Sequence, residues 1–361
     1  MTRRTILAAA AAQLRAATPV FNTGVPAATK DKPQSKLWFA NGHWWAILPV
    51  KDGPSLWKRT DTGWTREIHT ARSVLGLPGQ ADVVAVGDTV MAVLVEEHRL
   101  AVIRLEWFSK HGHYQMREAK QFAREHAGIE TATIASAYGE YWIAYNSGRH
   151  MWVRPYRDFI KPIQISLTQT SEDDICQIVA FAGTVGVIWS DQAADAVYFR
   201  RFDGREWRAP ETAANGGKTA DDHISTAVAR DGTLYVATKN SVDTEQQPQQ
   251  VLRIRSPRGQ WRNLSYANLT KYEQPTRPIA LLSEDQQTLH LLHTLSVRGA
   301  KPPRSSIVHL ATSPTAPNLT QPFKPLLEGN VQINNVTGAK SGGNLVLASD
   351  NEGNIYEAMI A

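Results

Sequence analysis

Short apolar runs alternate with breaks carrying Gly, Asp or Asn along the whole chain, as in "LWFANGHWWAILPV", "DVVAVGDTVMAVLV" and "GTLYVATKN". Val, Ile, Tyr and Trp crowd the runs, and a glycine at the break supplies the positive φ of a tight hairpin, so the pattern predicts paired strands. The runs also repeat at a longer period. Taking the residue before each unit's first run as reference gives Lys36, Asp82, Glu130, Asp174, Asp222, Arg277 and Asn334, separated by 46, 48, 44, 48, 55 and 57 residues. That is the spacing of four-stranded propeller blades, and the chain is predicted to be all-β, a seven-bladed β-propeller.

Each unit keeps one internal order. A first run ends in a turn, a second follows ("HWWAILPV", "YWIAYN", "GVIWSD", "NLVLASD"), then a third ("SLWKR", "MWVRPY", "AVYFRRF", "VLRIRS"), then a fourth after turns such as "DTGW", "DGREW" and "PRGQW". The last unit stops at Ala361 after its third strand, so the ring is expected to close with an outer strand from the N-terminal "TPVFNTG". Polar insertions, "SVDTEQQPQQ" and "SVRGAKPPRSS", read as surface loops within a single domain over residues 18–361. Trp64, Trp207 and Trp261, at matching places in three units, read as packing between blades. The recurring Arg59, Arg104, Arg154, Arg200 and Arg255 read as structural partners at the ends of third strands.

The first strand of each blade lies innermost, so the seven reference residues are expected to ring one channel mouth. Asp173, Asp221, His223 and Asn335 stand beside them. Several chemistries suit this set. Asp174 and Asp222 on adjacent blades form a carboxylate pair of the kind glycoside hydrolysis needs. His223 can instead take a proton while Arg277 or Lys36 neutralises a uronate, as a polysaccharide lyase requires. The expected catalytic residues are therefore Asp174, Asp222 and His223, with Lys36, Asp82, Glu130, Arg277, Asn334 and Asn335 binding substrate. Four carboxylates around one axis also suit Ca²⁺, although the pattern requires no cofactor and shows no dedicated metal motif.

Composition narrows the setting. One cysteine, Cys176 in an apolar run, excludes an internal disulfide and reads as a small buried hydrophobe. "MTRRTILAAAAAQLRAA" pairs arginines with a short apolar run and small residues, which predicts a twin-arginine export signal over residues 1–17 and a periplasmic or extracellular protein. Loss of Arg3, Arg4 and Arg15 would lower the formal charge from +5 to +2, which does not favour nucleic acid as partner. No run approaches 18 consecutive apolar residues, so no membrane span is expected, and a monomer is.

The stretches "QSKLWFANGHWWAIL", "ADVVAVGD", "DDICQIVAFAGTVGVIWSDQ", "ADDHISTAV" and "NLVLASD" resemble a group of secreted bacterial propellers within the sialidase-like or BNR-repeat class, over essentially all of residues 18–361. That class includes sialidases, lyases and lectins, so the resemblance implies a role with glycans. It departs from sialidases themselves: the ring offers one Arg instead of a triad, and the nearest repeat box is the degenerate "SDNEGNIY". The expected function is binding, with cleavage by a hydrolase or lyase, of a carbohydrate or acidic polysaccharide at the funnel. The competing expectation is a non-catalytic scaffold or lectin-like module.

Overall fold

The computed structural model describes residues 16–30, 33–122, 127–157 and 161–361, and among these there are strands and turns but no helix. Seven antiparallel four-stranded sheets form the blades of a propeller. Their innermost strands are Leu37–Ala40, Gln80–Val86, Ala132–Ala137, Cys176–Phe181, Ile224–Val228, Glu273–Leu282 and Asn334–Gly338, which define blades one to seven. The ring closes as expected. Phe21–Asn22 forms the outer strand of blade seven, pairing Phe21 with Ile355 and Asn22 with Asn354.

The core is not one cluster but seven, each filling the gap between two neighbouring blades. Thr89–Glu96 of blade two shows how one strand feeds two of them. Val90, Ala92 and Leu94 pack toward blade one, while Met91, Val93 and Val95 pack toward blade three. Successive side chains leave a strand on opposite faces, and in a blade both faces are covered, so middle strands read as unbroken apolar runs.

Arginine, tryptophan and glutamate fasten the blades outside these layers. Arg59 holds Glu357 of blade seven through two bonds of 3.0 and 3.1 Å, and Trp64 Nε1 donates to the same carboxylate at 2.8 Å. Arg255 and Trp261 of blade five grip Glu211 of blade four in the same way, at 2.6, 2.7 and 3.0 Å. Trp207 packs beside Trp142 across the joint of blades three and four. These contacts agree with the packing role expected of the turn tryptophans. Cys176 is fully buried, and burial pushes its thiol far above the usual range.

Blade six encloses three histidines whose neutral form the fold requires. His293 is 2% exposed and burial lowers its pKa to about 3. His309, lowered by burial to about 4, meets His290 at 2.9 Å between ring nitrogens. A histidine depressed in the folded state contributes stability that is present above the unfolded pKa near 6.5 and lost as pH falls below it. Thermal melts are therefore expected to show a loss of about 2–3 kcal/mol from His293 alone between pH 7 and pH 4.5, since each pKa unit is worth about 1.4 kcal/mol. A His293→Leu variant should flatten that slope; an unchanged slope would show that the ring titrates elsewhere.

Candidate functional site

The expected funnel, at the end where the innermost strands begin, is stoppered by the protein itself. The chain must travel from the outer strand of blade seven to the inner strand of blade one, and Pro33–Lys36 at the end of that path is buried inside the channel. Gln177 Nε2 of blade four donates to Pro33 O at 2.9 Å, and Gln34 Nε2 donates to Ala132 O of blade three at 2.9 Å. Lys36 Nζ donates to Ala81 O of blade two at 2.7 Å.

Asp82 is the centre of this stopper. Its carboxylate accepts from Ser35 N and Ile134 N, both at 2.7 Å, and from the ammonium of Lys340 in blade seven. Lys340 Nζ also donates to Ile134 O at 2.7 Å. Burial pushes the Asp82 carboxyl upward and the Lys340 ammonium downward, and their mutual attraction opposes both shifts. Lys36 and Asp82 thus bind neighbouring blades to one another rather than facing an open funnel.

The seven reference residues do not form a single level. Four positions before the last paired residue of the first hairpin stand Lys36, Asp82, Thr133 and Gln177 in blades one to four. Glu130 and Asp174 lie three residues further upstream, outside their strands. The apolar run sets the start of a blade in sequence, but hairpin pairing sets it in space. Glu130 is exposed and lines grooves shared with Glu97 on the strand-start face. Asp174 is fully buried and caps a local turn, accepting from Ser171 N at 2.7 Å and Gln192 N at 3.1 Å. Burial raises its pKa. A carboxylate enclosed by its own loop is badly placed to act with Asp222.

Asp222 and His223 do come together, with Asp221. His223 Nδ1 lies 2.5 Å from Asp221 Oδ1 and 2.5 Å from Asp222 Oδ1. Asp221 is anchored in turn by Lys239 Nζ at 2.6 Å and Ser241 Oγ at 2.9 Å. A carboxylate on Nδ1 fixes the neutral ring so that Nε2 carries the lone pair. That nitrogen faces Thr276 Oγ1 of blade six at 3.4 Å. Arg277 follows Thr276 at a bulge, with φ of 52°. Thr276 pairs with Thr294, whose hydroxyl donates to Asn334 Oδ1 at 2.8 Å, and Asn335 N donates to the same oxygen. Blades five to seven thus carry a polar row containing five of the nine expected residues.

The expected ring carboxylates do not meet as a Ca²⁺ cage. Among the described residues the group suited to a metal is Asp221, Asp222 and His223, whose donor atoms lie within 4.8 Å of one another. The ring nitrogen and the Lys239 ammonium beside Asp221 match poorly with an ion that prefers six to eight oxygens.

A concave site lies at the other end of the channel. A cavity of about 680 Å³ opens among the turns that join first and second strands, and Gln177, Ile134 and Lys340, which are hydrogen-bonded to the stopper, line it directly above that plug. Ser136, Ser283, Ser341 and Gln286 line it, and the inner strands are paired on one side only, leaving their other edge toward the channel. Arg230 and Lys340 line it too, while no Asp or Glu does among the described residues. Gln286 Oε1 accepts from Arg230 N at 2.7 Å, and the Arg230 guanidinium donates to Glu284 O at 3.0 Å, which holds the cation in place.

Tyr138 stands at the mouth, 50% exposed, and Phe39, in the inner strand of blade one two residues before its turn, is 54% exposed. Tyr138 and Gly139 form a two-residue turn with φ of 57° and 66°, matching Asn41–Gly42 in blade one. Asn tolerates that conformation, whereas a bulky residue there is strained, and such strain concentrates at functional positions. Sequence reasoning missed Tyr138, Arg230, Lys340 and Thr276. A signal existed for one of them: "AYGE" puts a tyrosine in the turn slot that "ANG" fills with asparagine.

No protein-family model matches the chain, and no curated protein matches it. Solved structures do. A BBS1N structure in complex with ARL6DN is 9% identical, with TM-score 0.56, covering 95% of this chain and 96% of that one. The Cps50 (Swd1) β-propeller domain of Myceliophteria thermophila is 12% identical, with TM-score 0.53, covering 92% and 99%. A Bacteroides uniformis protein provisionally named a 6-phosphogluconolactonase is 15% identical, with TM-score 0.52, covering 86% and 93%. At such identities the likeness is one of fold.

Proposed function

We propose that the protein is an exported propeller of the sialidase-like or BNR-repeat class that binds an acidic carbohydrate in the channel cavity, entered from the hairpin-turn face. One observation carries this reading: no Asp or Glu lines the cavity among the described residues, whereas Arg230 does, together with Lys340, whose charge is shared with Asp82 beneath it. A cavity of 300–1,000 Å³ with few charged and many small polar groups suits a small ligand. Short hydroxyl and amide side chains match a ligand rich in hydroxyls, and the exposed Tyr138 ring offers a face for its apolar side. Asp82 contributes by holding Lys340 at the floor.

Titration of neutral, uronic-acid and sulfated oligosaccharides, followed by the fluorescence of Trp38 in the cavity wall, tests the proposal. Saturable binding is expected for the acidic members. Arg230→Ala and Tyr138→Ala should each weaken it about tenfold, equivalent to about 1.4 kcal/mol, with melting unchanged. Absence of saturable binding, or variants that bind as tightly as the parent, would overturn it.

A second reading puts a separate cleavage site on the strand-start face, across the stopper from the cavity, and the buried Asp221–His223–Thr276 array favours it. There His223 Nε2 would act as base beside Arg277, the arrangement a lyase uses on a uronate. In the same panel, release of unsaturated uronates that His223→Gln abolishes without lowering the melting temperature supports turnover. Binding without products leaves a lectin-like module.

A further inference from the structure

From the sealed floor of the channel we infer that the cavity takes the end of a saccharide chain and not its interior. This rests on reading the cavity as a saccharide site. A polymer threaded along the axis needs two mouths, and here one is closed. Pro33, Gln34, Ser35 and Lys36 are all buried, and hydrogen bonds tie them to blades two, three, four and seven. The floor is also charged and rigid: Asp82 accepts from two backbone amides and from Lys340, so admitting a chain there would strip three partners from a fully buried carboxylate. That penalty exceeds what a few sugar hydroxyls return.

Lateral exits are shut as well. The gaps between blades are filled by apolar layers, with Trp38, Ile134, Ile178 and Val83 packed at the level of the cavity. A ligand therefore enters and leaves by the mouth between the hairpin turns. Its terminal unit sits on the floor beside Lys340, and the rest of the chain leaves past the exposed Tyr138.

The test uses the tightest acidic oligosaccharide found by fluorescence titration. It is compared untagged, with a bulky fluorophore on the reducing end, with the same bulk on the non-reducing end, and with both. One single-tagged form should bind like the untagged chain, while the other and the doubly tagged form should bind at least about 100-fold more weakly, a difference of about 2.7 kcal/mol. Undiminished binding of the doubly tagged chain would overturn end recognition and leave saccharide binding standing. Failure of the untagged acidic chains to bind overturns the saccharide reading, and end recognition with it.

Discussion

Replacement of Asp82 by alanine is expected to cost about 3–5 kcal/mol of stability, read as a shift in the urea midpoint. The change takes the carboxylate partner from the part-exposed Lys340 ammonium and leaves the amides of Ser35 and Ile134, which point into a buried site, without their acceptor. The size follows from asymmetry: each buried amide left without its acceptor costs about 1–3 kcal/mol, more than its hydrogen bond contributes, and the lost ion pair adds to the two of them. The double variant Asp82→Asn with Lys340→Met should therefore recover much of the loss, since it leaves no uncompensated charge. A single-variant loss below about 1 kcal/mol would show that water reaches the stopper and that the floor is not sealed.

Removal of residues 18–30 is expected to abolish the monomer. It strips the outer strand from blade seven, exposing the edge of Asn354–Met359. It also removes Phe21, stacked on Trp57 at 4.3 Å and inclined to Trp64 at 5.7 Å, and the bond between Thr29 and Ser349 at 2.7 Å. An unpaired edge backed by apolar surface recruits other chains. Size-exclusion chromatography should show aggregate. A monomeric truncation with a single cooperative melt would mean that the ring does not need this strand.

Much of the fold was legible because a propeller repeats its errors as well as its rules. One blade could be misread, but seven runs at a common spacing fixed the ring, and the absent fourth strand after "NIYEAMI" pointed to the N-terminal segment that supplies it. The site was less legible, for two physical reasons. Polarity before an apolar run marks the start of burial, not a level along the channel, so Lys36 and Asp82 were grouped with residues three positions upstream. The path of Pro33–Lys36 through the channel depends on where the ring closes, a tertiary fact with no local pattern. His223 and Asp222 were found because they adjoin in sequence. Lys340 was not, because its meaning comes from Asp82, 258 residues away. The export signal expected at residues 1–17 lies almost wholly outside the described residues.

The Arg–Trp–Glu clasp occurs both where the ring closes, at Arg59, Trp64 and Glu357, and in mid-chain, at Arg255, Trp261 and Glu211. The closing seam is therefore fastened like the joint between blades four and five. In an unfolded chain the first joins partners nearly 300 residues apart and the second partners fewer than 60 apart, so entropy alone ranks the seam as the costlier to form. Once formed, the two are held by the same contacts. At these two joints the folded ring uses one fastening for partners that the chain brings together from very different separations.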